Sequence, residues 1–130
     1  MAASYYLYTK NSIVQEILHE LKYKNNPEIA FLLGRWYGDD LKNIIGFSGA
    51  DMIIPVPLHR SKLKKRGYNQ SVFFANGLSE SLKIAVHENI LIRKTETETQ
   101  TNKGRFDRWR NVEHKFAIAD TKKLFAKHIV

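Results

Sequence analysis

The stretch DMIIPVPLHRSKLKKRGYNQS, residues 51–71, is the most informative part of the sequence. After Asp51 comes the apolar run MIIPV, which is typical of a strand buried on both faces of a parallel sheet. Five Lys/Arg and no acidic residue follow before Gly67, and we interpret residues 58–68 as a loop. Asn69 is a typical helix N-cap, and we expect that helix to run to about residue 84. Strand, basic loop and helix in this order predict the opening of an α/β unit.

Two helices are predicted upstream of this stretch. Residues 12–24 place apolar side chains at helical spacing, and Asn26-Pro27 is a typical start of a second helix. We expect the second helix to bury its large apolar side chains, namely Ile29, Leu32, Leu33, Trp36 and Tyr37. The two helices define a predicted N-terminal helical segment, residues 1–48.

Downstream, further strands alternate with one long polar connection. Residues 89–93 predict the second strand of the α/β unit, while residues 114–119 and 127–130 are further strand candidates. The connection at 94–111 is polar and contains a glycine, and long loops of this kind inside compact domains often act as lids. We therefore expect residues 49–130 to form the α/β portion of the chain.

Composition limits the classes of function. The chain has 130 residues and a formal net charge of +8, which favours anionic partners without choosing among them. Because it has no Cys, a disulfide framework, a zinc ribbon and a thiol nucleophile are excluded. The sequence shows neither a secretory signal nor an apolar run near the ~18 residues of a membrane span. We expect a cytoplasmic protein without a membrane span.

The basic run after the first strand has two readings. An anion-binding loop is one, because ligands of open α/β sheets lie at the carboxyl ends of strands and a helix start offers oriented N–H donors. A plain solvated charge run is the other. Arg60 and Arg66 could grip phosphate oxygens in bidentate fashion, whereas the lysines between them act as point charges. The charge pattern leaves both readings open.

Two motifs in register resemble the ComF family of competence-related phosphoribosyltransferases. The first consists of PVPLH, residues 55–59, and RGYNQS, residues 66–71. The second is a block with similar order and spacing: Arg93, Gln100, Arg108, Asn111, Val112 and Phe116. The likeness covers nearly the whole chain from about residue 5.

This resemblance implies a fold and a site, with residues 49–130 as the N-terminal part of a phosphoribosyltransferase-like domain. The family is similar to type I phosphoribosyltransferases and is amidophosphoribosyltransferase-like, with a parallel sheet flanked by helices, and such enzymes of nucleoside metabolism bind phosphoribosyl pyrophosphate with Mg²⁺. The implied pyrophosphate loop includes Leu58, His59, Arg60, Lys65, Arg66, Gly67, Asn69 and Gln70. Residues 94–111 would form a mobile loop that contains Gln100 and Asn111, with Arg105 and Arg108 as catalytic side chains.

One departure from the family changes the expectation. The family's ribose-phosphate loop has paired acidic residues followed by Thr-Thr-Gly, and the 130 residues contain no such stretch. We therefore expect a chain truncated at its C-terminus, inactive as a transferase on its own and prone to self-association through an exposed sheet edge. The alternative function is a nucleic-acid-binding or protein-interaction component of a DNA uptake complex, with DNA or uptake proteins as partners.

Overall fold

The computed structural model describes residues 12–24, 26–44, 46–47, 49–94 and 115–130. Within them the chain forms four α-helices, two short strands and a 3₁₀ turn. The helices are α1 (Ile13–Tyr23), α2 (Pro27–Leu41), α3 (Arg60–Arg66) and α4 (Gln70–Leu82). The strands are β1 (Leu91–Arg93) and β2 (Phe116–Ile118), and the 3₁₀ turn covers Lys122–Leu124. The upstream helical pair and the helix that follows Asn69 are thereby confirmed.

The apolar run at 51–54 is extended and lies between two parallel neighbours. On one side the backbone N–H of Ile53 donates to the carbonyl of Ala85 at 2.9 Å, within a parallel bridge to the 85–87 segment. On the other side the 128–130 segment pairs with it, also in parallel. The predicted strand–helix–strand connection is therefore present. Its parallel pairing is short, with a single bridge between the 51–54 segment and each of its two neighbours.

The strand predicted at 89–93 is present as β1, but its predicted place as the second member of the α/β unit was wrong. The parallel neighbour is the 85–87 segment, and residues 91–93 instead form β1, which pairs antiparallel with β2. The error arose because apolar content marks the run at 89–93 more strongly than the short segment before it. The described residues thus combine helices with a small antiparallel sheet, and a parallel phosphoribosyltransferase-like sheet stays a prediction.

The predicted loop at 58–68 was wrong as well, because residues 60–66 form α3. Lys, Arg and Leu favour helix even without an apolar stripe. His59 caps the start, and Gly67 ends the helix in the left-handed conformation at φ 80°, which glycine adopts readily because it has no Cβ. The basic run is therefore a short helix with defined ends.

The buried face predicted for α2 was wrong in part: Ile29, Leu33 and Tyr37 are half-buried, but Leu32 and Trp36 are exposed. Its buried residues are Ala30, Gly34, Gly38 and Leu41, while Leu32 and Trp36 remain 42% and 51% exposed. The small side chains let α4 approach closely. A Cβ added at Gly34 would overlap the carbonyl oxygen of Phe74 on α4, and one added at Gly77 would overlap the carbonyl oxygen of Phe31 on α2. The closeness of α2 and α4, and not the size of their side chains, determines which face is buried.

The hydrophobic core joins α2 and α4 to the 51–54 segment. Its buried residues form one cluster: Leu41, Ile53, Ala75, Leu78 and Ile84. The predicted boundary between the helical segment and the α/β portion at residue 48 stays a prediction. Helix α2, which precedes that boundary, packs directly on α4, which follows it. Among the helices of the described residues, none combines the length and apolar character that crossing a bilayer requires.

Candidate functional site

A groove of about 420 Å³ lies where the parallel segments end. The 51–54 and 85–87 segments run in the same direction, so their carboxyl ends open on the same edge. The groove takes its walls from the residues after each segment and from the turn before α4, including Pro57, Leu58, Gly67, Asn69, Glu88 and Asn89. This is the position at which open α/β sheets bind ligands.

Asn69 links the start of α4 to the chain just after the 51–54 segment. Its Oδ1 accepts a hydrogen bond from the Ser71 N–H at 3.1 Å, which confirms the predicted helix cap. Its Nδ2 donates to the carbonyl oxygen of Val56 at 3.0 Å. One side chain therefore holds the positive end of the α4 dipole beside the carboxyl end of the 51–54 segment. Binding of an anion is favourable at such a position.

His59 has a structural part in this arrangement as the N-cap of α3. Its Nδ1 lies 2.9 Å from the Ser61 Oγ and accepts a hydrogen bond from the Ser61 N–H at 3.4 Å. The imidazole thus satisfies a donor at the first turn of the helix.

The cations of α3 form an exposed basic surface, which we define as Arg60, Lys64 and Lys65. None of the three forms an ion pair with an acidic residue in the described part of the chain. The lysines lie in the last turn, where positive charge is favourable against the helix dipole. Both readings of the basic run therefore remain: the charges stabilise α3, and they are available to an anion.

The sequence-predicted residues are distributed over two places. Leu58, Gly67 and Asn69 line the groove, whereas Gln70 lines a separate apolar cavity. The remaining basic-loop residues belong to α3 and its cap: His59, Arg60, Lys65 and Arg66. Gln100, Arg105, Arg108 and Asn111 lie outside the described residues, and all the assigned roles stay predictions.

The β1–β2 ladder ties down both ends of the long polar connection. Arg93 pairs with Phe116 in the ladder, and the N–H of Lys94 donates to the carbonyl of Lys115 at 2.8 Å. The guanidinium of Arg93 also lies 5.4 Å from the centre of the Phe116 ring, a cation–π distance. β1 begins shortly after Asn89, which lines the groove.

Sequence reasoning missed the role of Tyr68. The side chain is 8% exposed, and its hydroxyl donates to the carbonyl of Leu21 on α1 at 2.6 Å. The ring packs edge-on against Phe73 with centroids 5.8 Å apart. Its position inside the RGYNQS motif was the available signal, although nothing in the local pattern indicates a partner on α1.

Asp51 was also missed, and it holds the 128–130 segment in place. Its Oδ2 accepts from the His128 N–H at 2.8 Å, and its Oδ1 accepts from the Lys127 Nζ at 2.9 Å. These hydrogen bonds, with that of the His128 N–H first in importance, lower the pKa of the Asp51 carboxyl below its usual value.

Acid is therefore expected to loosen the 128–130 segment. Because the folded-state pKa of Asp51 lies below the unfolded value of about 3.9, its contribution is complete above that pH and is lost as pH falls through the folded-state pKa. We expect Asp51→Asn to give faster amide exchange at residue 130 at neutral pH, with little further change in acid. Asp120→Asn, a control for an exposed carboxylate paired with Lys123, should leave that exchange unchanged. Equal exchange in the two variants would contradict the assignment.

These features describe a mixed helix-and-strand protein with a basic helix beside a groove at the ends of parallel segments. Over 75 residues the chain is 37% identical to Competence protein F of Haemophilus influenzae. The alignment covers 58% of this chain and 33% of that protein, so the chain spans about a third of the relative's length. No family model matches the sequence, and no solved structure matches the fold.

Proposed function

We propose that the chain belongs to a ComF-type, phosphoribosyltransferase-like protein that binds phosphoribosyl pyrophosphate at the groove. The observation that carries the proposal is the junction at Asn69, where a strand exit, a helix start and the basic surface of α3 come together. The similarity to Competence protein F supports a competence-related function. The proposal includes a larger, phosphoribosyltransferase-like parallel sheet and a cytoplasmic location for the protein.

The chemistry of such a site requires electrostatics more than a nucleophile. As pyrophosphate leaves, negative charge grows on its oxygens, and preorganised donors stabilise that charge. The positive end of the α4 dipole and the cations of α3 would attract these oxygens. In the proposed full site, Arg105 and Arg108 reach the phosphates from the mobile loop, and Gln100 and Asn111 belong to the same loop.

Magnesium fits this site as a companion of the substrate. No cluster of three or more potential metal ligands occurs among the residues that the structure describes, although Glu88 lines the groove. Mg²⁺ commonly binds proteins through one or two carboxylates together with substrate phosphates. When bound, it would neutralise charge on the pyrophosphate.

The 130 residues are expected to bind this ligand weakly and to lack transferase activity, because the acidic Thr-Thr-Gly stretch is absent from them. Titrating ¹⁵N-labelled chain with phosphoribosyl pyrophosphate and Mg²⁺ should shift the amides of residues 58–60 and 67–71, with a millimolar Kd. Replacing Arg60, Lys64 and Lys65 together with Ala should weaken binding about tenfold, at roughly 0.5 kcal/mol for each exposed cation.

The control variant changes the same amount of charge elsewhere. Lys42, Lys122 and Lys123 are exposed, and replacing all three with Ala should leave the affinity within about twofold of the parent. Equal losses in both variants would mean that only net charge matters, and shifts that avoid residues 58–71 would contradict the groove. A micromolar Kd would contradict the expectation that the site is incomplete.

A second candidate, binding of single-stranded DNA, is favoured by the same basic surface. In that case affinity should fall steeply with salt and be largely independent of Mg²⁺, whereas the phosphoribosyl pyrophosphate site requires Mg²⁺. A role as an interaction component of an uptake complex, or self-association through the outer edge of the 128–130 segment, would leave both titrations flat.

A further inference from the structure

A second cavity, of about 440 Å³, lies among α1, α2, α4 and the 53–56 segment. Aliphatic and aromatic side chains form almost all of its wall, with rings from Tyr37, Phe47 and Phe74. Two of these rings, Tyr37 and Phe74, are tilted by 41° with centroids 6.3 Å apart. No charged side chain of the described residues lines the cavity, so it differs in character from the basic groove.

One polar group in this wall has an unmet hydrogen-bonding capacity. The Gln70 Oε1 is buried and has no hydrogen-bond partner among the described residues, and Gln70 lines the cavity. Leaving a buried acceptor unpaired is unfavourable. A molecule that fills the cavity and presents one N–H or O–H to this oxygen would remove that penalty.

From these observations we propose that the cavity is a binding site for a small, uncharged aromatic molecule that donates one hydrogen bond to the Gln70 Oε1. The volume falls within the range of about 300–1,000 Å³ that is usual for small-molecule sites, which are mostly apolar with a few placed polar groups. A phosphorylated or otherwise charged ligand is excluded because no counter-charge in the wall offsets its desolvation.

The position of the cavity makes it a neighbour of the groove. Gln70 directly follows Asn69, the residue that caps α4. Val56 lines the cavity, and its carbonyl accepts the second hydrogen bond of Asn69. A molecule in the cavity therefore contacts the same junction that shapes the groove, while its recognition rests on different atoms.

Indole and 1-methylindole test the proposal, since they share the same ring system and only indole has an N–H. Titration of the full chain, followed by ¹⁵N amide shifts, should give saturable binding of both compounds with residues around the cavity affected. Indole should bind about five- to tenfold more tightly, as expected for one neutral hydrogen bond. Binding of neither compound, or equal affinity for the two, overturns the proposal.

The variant Gln70→Leu separates the hydrogen bond from the cavity. It should abolish the preference for indole, retain 1-methylindole binding, and raise the melting temperature without ligand, because the unpaired buried acceptor is gone. Gln15→Leu on α1 is the matched control and should preserve the preference. A preference that persists in Gln70→Leu overturns the role of the carboxamide.

A second variant, at the rim of the cavity, tests the proposal independently if Gln70→Leu does not fold. Leu18 lines the cavity and is 36% exposed, so Leu18→Trp should reduce binding of both probes at least tenfold while the fold is retained. Light scattering provides the remaining check. A dimer that Leu18→Trp or indole dissociates would show that a second copy of the chain occupies the cavity, which overturns the small-molecule assignment.

Discussion

Gly77→Ala is expected to lower the free energy of unfolding by about 3 kcal/mol, a large share of the 5–15 kcal/mol typical of a domain. The new Cβ would overlap the carbonyl oxygen of Phe31 and approach the backbone N of Arg35 to 2.7 Å. Both obstacles are backbone atoms of α2, so no side-chain rotation relieves them. The helices would have to separate, and the core beneath them would lose its packing.

Urea unfolding followed by circular dichroism measures this effect, and Gly49→Ala is the matched control. A Cβ at Gly49 meets no atom within 4 Å, so that variant should change stability by less than about 0.5 kcal/mol. If Gly77→Ala were as stable as Gly49→Ala, α2 and α4 would not approach each other as closely as the structure shows.

Tyr68→Phe is expected to cost roughly 1–2 kcal/mol and to release α1. The substitution keeps the ring against Phe73 but removes the hydroxyl that donates to the Leu21 carbonyl, leaving that acceptor unsatisfied. The hydrogen bond joins the end of the basic run to α1 across 47 positions of sequence. Amide exchange should therefore accelerate in α1 more than in α4.

The control for this prediction alters the ring contact and leaves the hydrogen bond in place. Phe73→Leu should lower global stability, yet exchange in α1 should rise only in proportion to that global loss. If Tyr68→Phe showed the same uniform pattern, the hydroxyl would not be what attaches α1.

Local signals predicted the elements near the strand exit because their causes are local. The apolar run before Pro55 and the cap at Asn69 depend on neighbouring residues, and both were found where the sequence placed them. The buried face of α2 depends instead on which helix packs on it. Large side chains indicated Leu32 and Trp36 as buried, whereas the close approach of α4 selects the small residues.

The candidate site shows the same division between local and distant causes. The motif identified Gly67 and Asn69, which line the groove. It also grouped Gln70 with them, although Gln70 faces a different cavity, because adjacent positions on a helix project about 100° apart. The partners of Tyr68 and Asp51 lie 47 and 77 positions away, and periodicity carries no information over such distances.

The central place of the 51–54 segment has a consequence for the order of assembly. Its contact with the 85–87 segment closes a short stretch of chain, whereas its contact with the 128–130 segment cannot form until that much later segment has been synthesised. During that interval one edge of the segment offers free backbone donors and acceptors to any passing strand. The growing chain is thus most vulnerable to misassembly in the interval before residues 128–130 emerge, and Asp51, which binds Lys127 and His128, closes that period.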